Sequence, residues 1–336
     1  MNASVKDVAA RAGVSVGTVS NVLNRPDKVS PATAQRVHAA IAELGFVRND
    51  AARQLRAGRS RAIGMVLLDV ANPFFSELAR GAEERAVESG HALILGNSDE
   101  KADREARYLD LFEEQRMHGV LVSPAGDVDA RLELLRERGI PSVLVDRGSD
   151  AFSSVSVDDV AGGELAVRHL VSLGRKRIAY VCGPLTIRQV ADRLEGARRV
   201  VAQHPDVTIE VVSQAALTVP AGAAAGTALA ARAAADRPDA VFAANDLLAL
   251  GVLQSLVMLG DVSVPGDVAL IGYDDIAFAR SAVVPLTSIR QPSRAIGATA
   301  VEILLEEAAE PTLEKRAVVF QPELVVRAST AATPWR

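Results

Sequence analysis

Four pairs of polar residues, Asp69 with Asn72, Asp146 with Arg147, Asn245 with Asp246, and Asp274 with Asp275, each follow a short apolar run in this 336-residue chain. Carboxylates, amides and a guanidinium at such positions, beside the aromatic Phe74 and Phe75, can make paired hydrogen bonds to a polyhydroxylated molecule and give it an apolar platform. Sugar is the simplest ligand of that kind. Asn and Asp also cap helices and close turns, and that reading is preferred for Asp246 and Asp275. A second set lies near the N-terminus, where Gly17, Thr18, Ser20, Asn21 and Asn24 form the polar side of a helical pattern. Short hydroxyl and amide side chains can bond phosphates or base edges without holding a helix away from a DNA groove, although the same pattern fits a solvated face on a small bundle. Catalysis is not indicated. Gly162 and Gly163 make no dinucleotide fingerprint, no phosphate-binding loop or HExxH pattern occurs, and His38, His91, His118, His169 and His204 share no metal-ligand spacing. No catalytic residues, cofactor or metal are therefore expected.

The charge is unevenly spread. A net charge of -5 argues against nucleic acid until it is divided: residues 1–61 carry ten Lys or Arg against four Asp or Glu, which leaves the rest of the chain at -11. A basic head on an acidic body is expected where one end lies on phosphates. No stretch approaches the ~20 apolar residues of a membrane span, and MNASVKDVAARA lacks a secretory apolar core, so a cytoplasmic protein with no membrane partner is expected. The single cysteine, Cys182, excludes an internal disulfide and reads as a small apolar filler.

The elements that must position these residues are legible. Ser4 with Asp7 starts a helix whose face is Val5, Val8, Ala9 and Ala12, stopped by Gly13; Ser15 caps a second with Val16, Val19, Val22 and Leu23; Ser30-Pro31 opens a third with Val37, Ile41 and Leu44, stopped by Gly45. With only Gly13 and Val14 between them, the first two helices suit a helix-turn-helix. Asn49 and Gly58 can then bound a helix of about two turns, too short to be stable alone in water. From Ala62 onward, apolar runs (AIGMVLLD, ALILGN, GVLVSP, SVLVD, RIAYVCG, TIEVVS, AVFAAND and VALIGYDD) alternate with helices such as Phe75 to Ser89 and Ala102 to Arg116, the pattern of parallel α/β layers. Ligands of such sheets sit beyond the carboxyl ends of the strands, where the four polar pairs stand. The alanine-rich run PAGAAAGTALAARAAADRP reads as one crossover helix.

VKDVAARAGVSVGTVSNVLN, followed by VSPATAQRVHAAIAELGFVRNDAARQLRAGRSRAIGMV, resembles the start of the lactose-repressor and purine-repressor family of bacterial transcription regulators, and the likeness continues more loosely through nearly the whole chain. The resemblance implies a three-helix helix-turn-helix head at 1–48, a hinge helix and linker at 49–61, and a two-lobed α/β ligand domain at 62–336, similar to periplasmic binding proteins. One lobe would hold about 62–159 and 290–320, the other about 160–289 and 321–336. Val16, Gly17 and Asn21 take base-reading positions, with Thr18 and Ser20 fixing the helix on the backbone, while Leu55 would wedge into the minor groove and Ala52 allow close approach. Gly17 departs from the family in having no side chain where members often present one. In the ligand domain the resemblance assigns Arg193 to effector binding, with Asn245 and Asp274 as polar partners and Phe74 and Phe75 as an aromatic shelf, and Gln189 is a further candidate beside them. Asp146 and Arg147 complete the candidates. Ile187 stands where the purine repressor has a ligand-binding arginine, which favours a carbohydrate effector over a nucleobase. The function implied is a repressor that reads a palindromic double-stranded operator as a homodimer under control of its effector, with release by an inducer preferred to co-repression; STAATPWR has none of the leucine-repeat helix of the tetrameric lactose repressor. A solute-binding module without a DNA task and a doubly wound enzyme are the alternatives.

Overall fold

A computed structural model describes residues 3–46, 60–259 and 262–331. The chain divides into two compact units, residues 1–59 and 60–336. In the first, three helices, α1 (Val5–Ala12), α2 (Val16–Asn24) and α3 (Pro31–Leu44), enclose a small core of Val8, Ala12, Val19, Val22, Val37 and Phe46. Local chemistry sets each boundary. Ser4 and Asp7 form a reciprocal capping box, Ser15 accepts from the Thr18 amide at 3.1 Å, and Gly13 closes α1 in the left-handed region that favours glycine. Arg11 on α1 reaches Glu43 on α3 at 2.6 Å, but both side chains are more than half exposed, so the apolar core holds the helices together and the ion pair adds little.

The second unit contains two six-stranded sheets. The first has the order β11-β5-β4-β3-β1-β2, all parallel, from β1 (Ala62–Leu67), β2 (Ala92–Asn97), β3 (Gly119–Val122), β4 (Ser142–Val145), β5 (Ser154–Val157) and β11 (Ala317–Phe320). The second has the order β12-β10-β9-β8-β6-β7, from β6 (Arg177–Cys182), β7 (Thr208–Ser213), β8 (Ala240–Ala243), β9 (Ala269–Asp274), β10 (Thr287–Arg290) and β12 (Glu323–Val325), with only β12 antiparallel. Sheet membership changes after β5, after β10 and after β11, so the chain crosses between lobes three times. Helices α4 (Pro73–Glu88) and α12 (Ser293–Ala309) pack together on the first lobe, while α7 (Asp159–Ser172) and α8 (Arg188–Val201) do so on the second. Each lobe has its own buried core, one around Leu67, Leu78, Val145 and Ile303, the other around Tyr180, Phe242, Leu256 and Ile271. Cys182 lies fully buried in the second, and burial pushes its thiol up to about 11. Among the described residues no helix is long and apolar enough to cross a membrane.

Several boundaries differ from the sequence reading. The first body helix begins at Pro73 because Asn72 caps it and proline suits its first turn; it ends at Glu88. The helix from Ala102 ends at Glu114. The alanine-rich helix α9 (Val219–Ala230) stops well before residue 238, where the Arg237 guanidinium takes the carbonyls of Ala230 and Arg232. β5, β10, β11 and β12 stand outside the apolar runs; Ser and Thr in β5 and β10 interrupt the apolar pattern, and β12 has only three residues.

Close approach of α4 and α12 requires glycine at Gly297: an added Cβ would collide with the Leu78 carbonyl of α4. Gly297→Ala should destabilise the ligand domain by about 1–3 kcal/mol, because backbone cannot yield as a flexible side chain can. An unchanged urea midpoint would show that the helices separate freely.

Candidate functional site

Val16, Gly17, Thr18, Ser20 and Asn21 stand together on α2. Val16, Gly17 and Asn21 are exposed, while Thr18 and Ser20 are half-buried beside the core residue Val19. Thr18 is held at its position by a 2.9 Å hydrogen bond to the Ser15 hydroxyl. The helix therefore turns Val19 and Val22 inward and a small, mostly polar face outward, the arrangement that can enter a major groove. The Asn24 side chain lies outside the described residues, as do Ala52, Leu55 and the whole expected hinge helix.

In the second unit, seven of the eight candidate effector residues meet in one cavity of about 460 Å³: Phe74, Phe75, Asp146, Gln189, Arg193, Asn245 and Asp274. Phe74 and Phe75 pack edge to face, 5.0 Å apart, at the start of α4. Asp146 and Asp274 follow β4 and end β9, both with positive φ, so the chain turns sharply where each carboxyl enters the cleft. Arg193 rises from α8, donates Nε to Asp159 at 2.8 Å and Nη1 to the Ala244 carbonyl at 2.6 Å, and lies 3.6 Å over the Tyr273 ring.

Hydrogen bonds cross from lobe to lobe. Asn72 Nδ2 donates to Asp274 Oδ2 at 3.1 Å, and Gln189 Nε2 donates to the Asp146 carbonyl at 2.6 Å and to its Oδ2 at 2.8 Å. Gln291, at a crossing, donates to the other Asp274 oxygen at 2.8 Å. Burial raises the Asp146 carboxyl well above the usual range, Asp159 adding repulsion and Arg193 opposing it; burial likewise raises Asp159 against the pull of Arg193. Asp274 is pushed up to about 6 by burial, restrained by Arg193 and by the hydrogen bonds from Asn72 and Gln291. Burial disfavours the Arg193 charge, but Asp159 and the other acids outweigh it and hold the guanidinium protonated.

Arg147 falls elsewhere, and several other strand-end residues have tasks besides lining the cleft. Arg147 turns away to the Gly126 carbonyl and lines a neighbouring cavity of about 560 Å³ with Arg188 and Asp192. Both residues lie beyond β4, and the left-handed turn at Asp146 sends the following side chain toward Gly126. Asn245 lines the cleft, yet its Oδ1 caps α10 (Asp246–Leu259) through the Leu248 amide and its Nδ2 holds the Leu217 carbonyl. Asp69 also lines the cavity, with Oδ1 on the Ala71 amide. Asp246 accepts from Ser288 and the Ile276 amide, and Asp275 is paired with Arg290 and Arg327. Those two are structural. Asp159, Tyr273, Glu100 and Gln291 were not singled out in the sequence; Glu100 and Asp159 follow strands and so obey the same strand-end rule, while Tyr273 carries no local signal.

Residues 4–49 match the profile of bacterial regulatory proteins of the lacI family, and residues 167–330 that of a periplasmic binding protein-like domain. The chain is 34% identical to the HTH-type transcriptional repressor PurR of Photobacterium profundum, across 97% of this chain and 98% of that protein. It is 35% identical to the ribose operon repressor of Escherichia coli (strain K12), across 97% and 99%. The lac repressor dimer bound to operator and the anti-inducer ONPF is similar in structure with a TM-score of 0.85 and 27% identity, over 99% of this chain and all of that one.

Asp274 holds its proton more tightly folded than the 3.8 of an ordinary aspartate. Its contribution to stability is therefore fully present below the unfolded value and is lost as pH rises through about 6. Asp274→Asn should remove this slope, so that the variant gains about 1 kcal/mol on the parent between about pH 5 and pH 7.5. A constant loss from a mismatched amide cancels in that comparison; parallel urea midpoints at the two pH values would reject the raised carboxyl.

Proposed function

The chain belongs to the lacI family of bacterial regulatory proteins, and from that premise we propose that it is a transcriptional repressor that binds a two-fold symmetric operator as a homodimer and responds to a small carbohydrate-like effector. The working division is a DNA-reading head at 1–48, a hinge at 49–61 that orders on DNA, and an effector-binding body at 62–336. The protein acts in the cytoplasm, where its operator is. In the head, Val16, Gly17 and Asn21 face base edges, and Thr18, Ser20 and Asn24 settle the helix on the backbone, with Ala52 and Leu55 meeting the minor groove between two copies. Gly17 contributes backbone alone, so readout beside it rests on its neighbours. The body's candidates are Phe74, Phe75, Asp146, Gln189, Arg193, Asn245 and Asp274.

One observation carries the coupling. Asn72–Asp274 and Gln189–Asp146 run between the lobes through the cavity itself, so a ligand seated there must join or displace bonds that set the lobes' relation. An effector shifts a two-state protein only by its difference in affinity for the two states, and groups shared by both lobes supply that difference. Release of the operator on effector binding is the direction we assign. The polar cleft with Ile187 in its lining fits a polyol better than a purine, whose ring edges call for dedicated amide or guanidinium pairs.

Operator affinity should fall by about 10³-fold or more between 50 and 200 mM salt if each dimer neutralises about six phosphates or more. A gel-shift titration in rising salt reads this, and a flat response would favour a solute-binding protein or an enzyme. Arg193→Ala should lower the melting temperature, because Asp159 loses its buried partner, and should also abolish the further rise produced by an effector found by screening sugars. Retention of the full shift would remove Arg193 from the site.

A further inference from the structure

Acids outnumber cations in the cleft, and one buried acidic oxygen there has no hydrogen-bond partner. Gln189 Nε2 gives both protons to Asp146, Asn72 and Asn245 give one amide proton each to Asp274 and Leu217, and Arg193 gives two of its five N–H groups to Asp159 and Ala244. Asp146, only 4% exposed, keeps its Oδ1 with no hydrogen-bond partner, and Gln291 Oε1 behind Asp274 is also unpartnered. The charge has the same bias. Asp69, Glu100, Asp146 and Asp274 line the cavity against one cation, Arg193, which Asp159 already matches in a buried pair. Lys101 and Arg104 do not redress this, because both bind Asp99, at 2.8 and 3.0 Å. Burial, with repulsion from Asp69 and Asp99, raises the Glu100 carboxyl, as expected of an acid beside other acids.

We propose that the cleft selects its effector by charge, preferring a polyol that carries an ammonium group over the neutral polyol and rejecting phosphorylated or carboxylated sugars. This rests on the effector site proposed above and names its ligand class. An ammonium group supplies three donors and a positive charge that favours the ionised form of the lining acids; a phosphate or carboxylate brings negative charge that disfavours it. Neutral hydroxyls satisfy the orphan Asp146 oxygen but leave the excess charge in place. The buried setting strengthens the discrimination, since little solvent screens it.

The test uses the full-length protein at pH 7 and constant ionic strength, with calorimetry and thermal shift on two matched sets: glucosamine, glucose and glucose 6-phosphate, and the smaller Tris, glycerol and glycerol 3-phosphate, which enter without matching a ring stereochemistry. The ammonium member of a set should act at a concentration at least tenfold lower than its neutral counterpart, the phosphate should give no response, and Asp146→Asn should narrow the ammonium-to-neutral ratio. A phosphate ester that stabilises the protein overturns the proposal, as does a ratio that Asp146→Asn leaves unchanged. Equal binding of neutral and ammonium members also overturns it, yet leaves the carbohydrate-responsive repressor standing. If no polyol of any charge binds while operator binding is intact, the carbohydrate reading fails and this inference fails with it.

Discussion

Arg193 sits over the Tyr273 ring with one edge on Asp159 and another on the Ala244 carbonyl, a cation enclosed by carboxylates that would otherwise be buried without any positive partner. Taking both ions of such a pair from water costs several kcal/mol each, so the pair by itself adds little to stability. Removing one partner is another matter: Asp159 would be left as an uncompensated buried charge, beside Asp146 and Asp274, whose carboxyls are already raised. The arginine thus permits a cleft rich in carboxylates to exist. Its fixed position also sets the geometry around it, because α7 must bring Asp159 to α8, and β9 must end with Tyr273 beneath the guanidinium and Asp274 at the cleft.

The crossings between lobes are part of the same construction. The first follows β5 and delivers Asp159 at the head of α7; the second follows β10 and delivers Gln291 to Asp274. Segments that act as joints therefore carry groups that touch the site. A change in how Arg193 or Asp274 is bonded is felt directly where one lobe turns into the other, without a chain of intermediates. Networks of this sort have discrete arrangements, since a half-satisfied buried group is costly, and discreteness is what a two-state switch requires.

The head was legible because its signals are local: Ser4, Ser15 and Ser30 cap, Gly13 and Gly45 terminate, and the valines between repeat at helical spacing. The strand-end rule found the cleft but not each residue's task. It could not separate Asp146, which enters the cavity, from Arg147, which the next backbone step points to Gly126. It also could not show that Asn245 spends both polar ends on its own lobe, because the Leu217 partner is 28 residues away. Tyr273 acts through tertiary contacts alone, and Gln291 follows β10, a strand whose Ser and Thr hid it from the apolar pattern. Arg193 was reachable only through family resemblance, since an arginine within a helix reads as surface until its burial is known.

Charge partition joins the two units into one design. A body at -11 is repelled by phosphate, so attraction must come through the basic head, and one small head grips only a short half-site. In the homodimer proposed above, joining two heads through paired bodies would make the second contact intramolecular, at an effective concentration set by the spacing and stiffness of the connection. Whatever alters that spacing changes operator affinity by far more than the loss of a single contact, even if every residue on α2 keeps its place. An effector need not reach the DNA-reading surface at all. It has only to favour one arrangement of the lobes, and the bonds from Asn72 and Gln189 across the cleft are where a small polar molecule can do so.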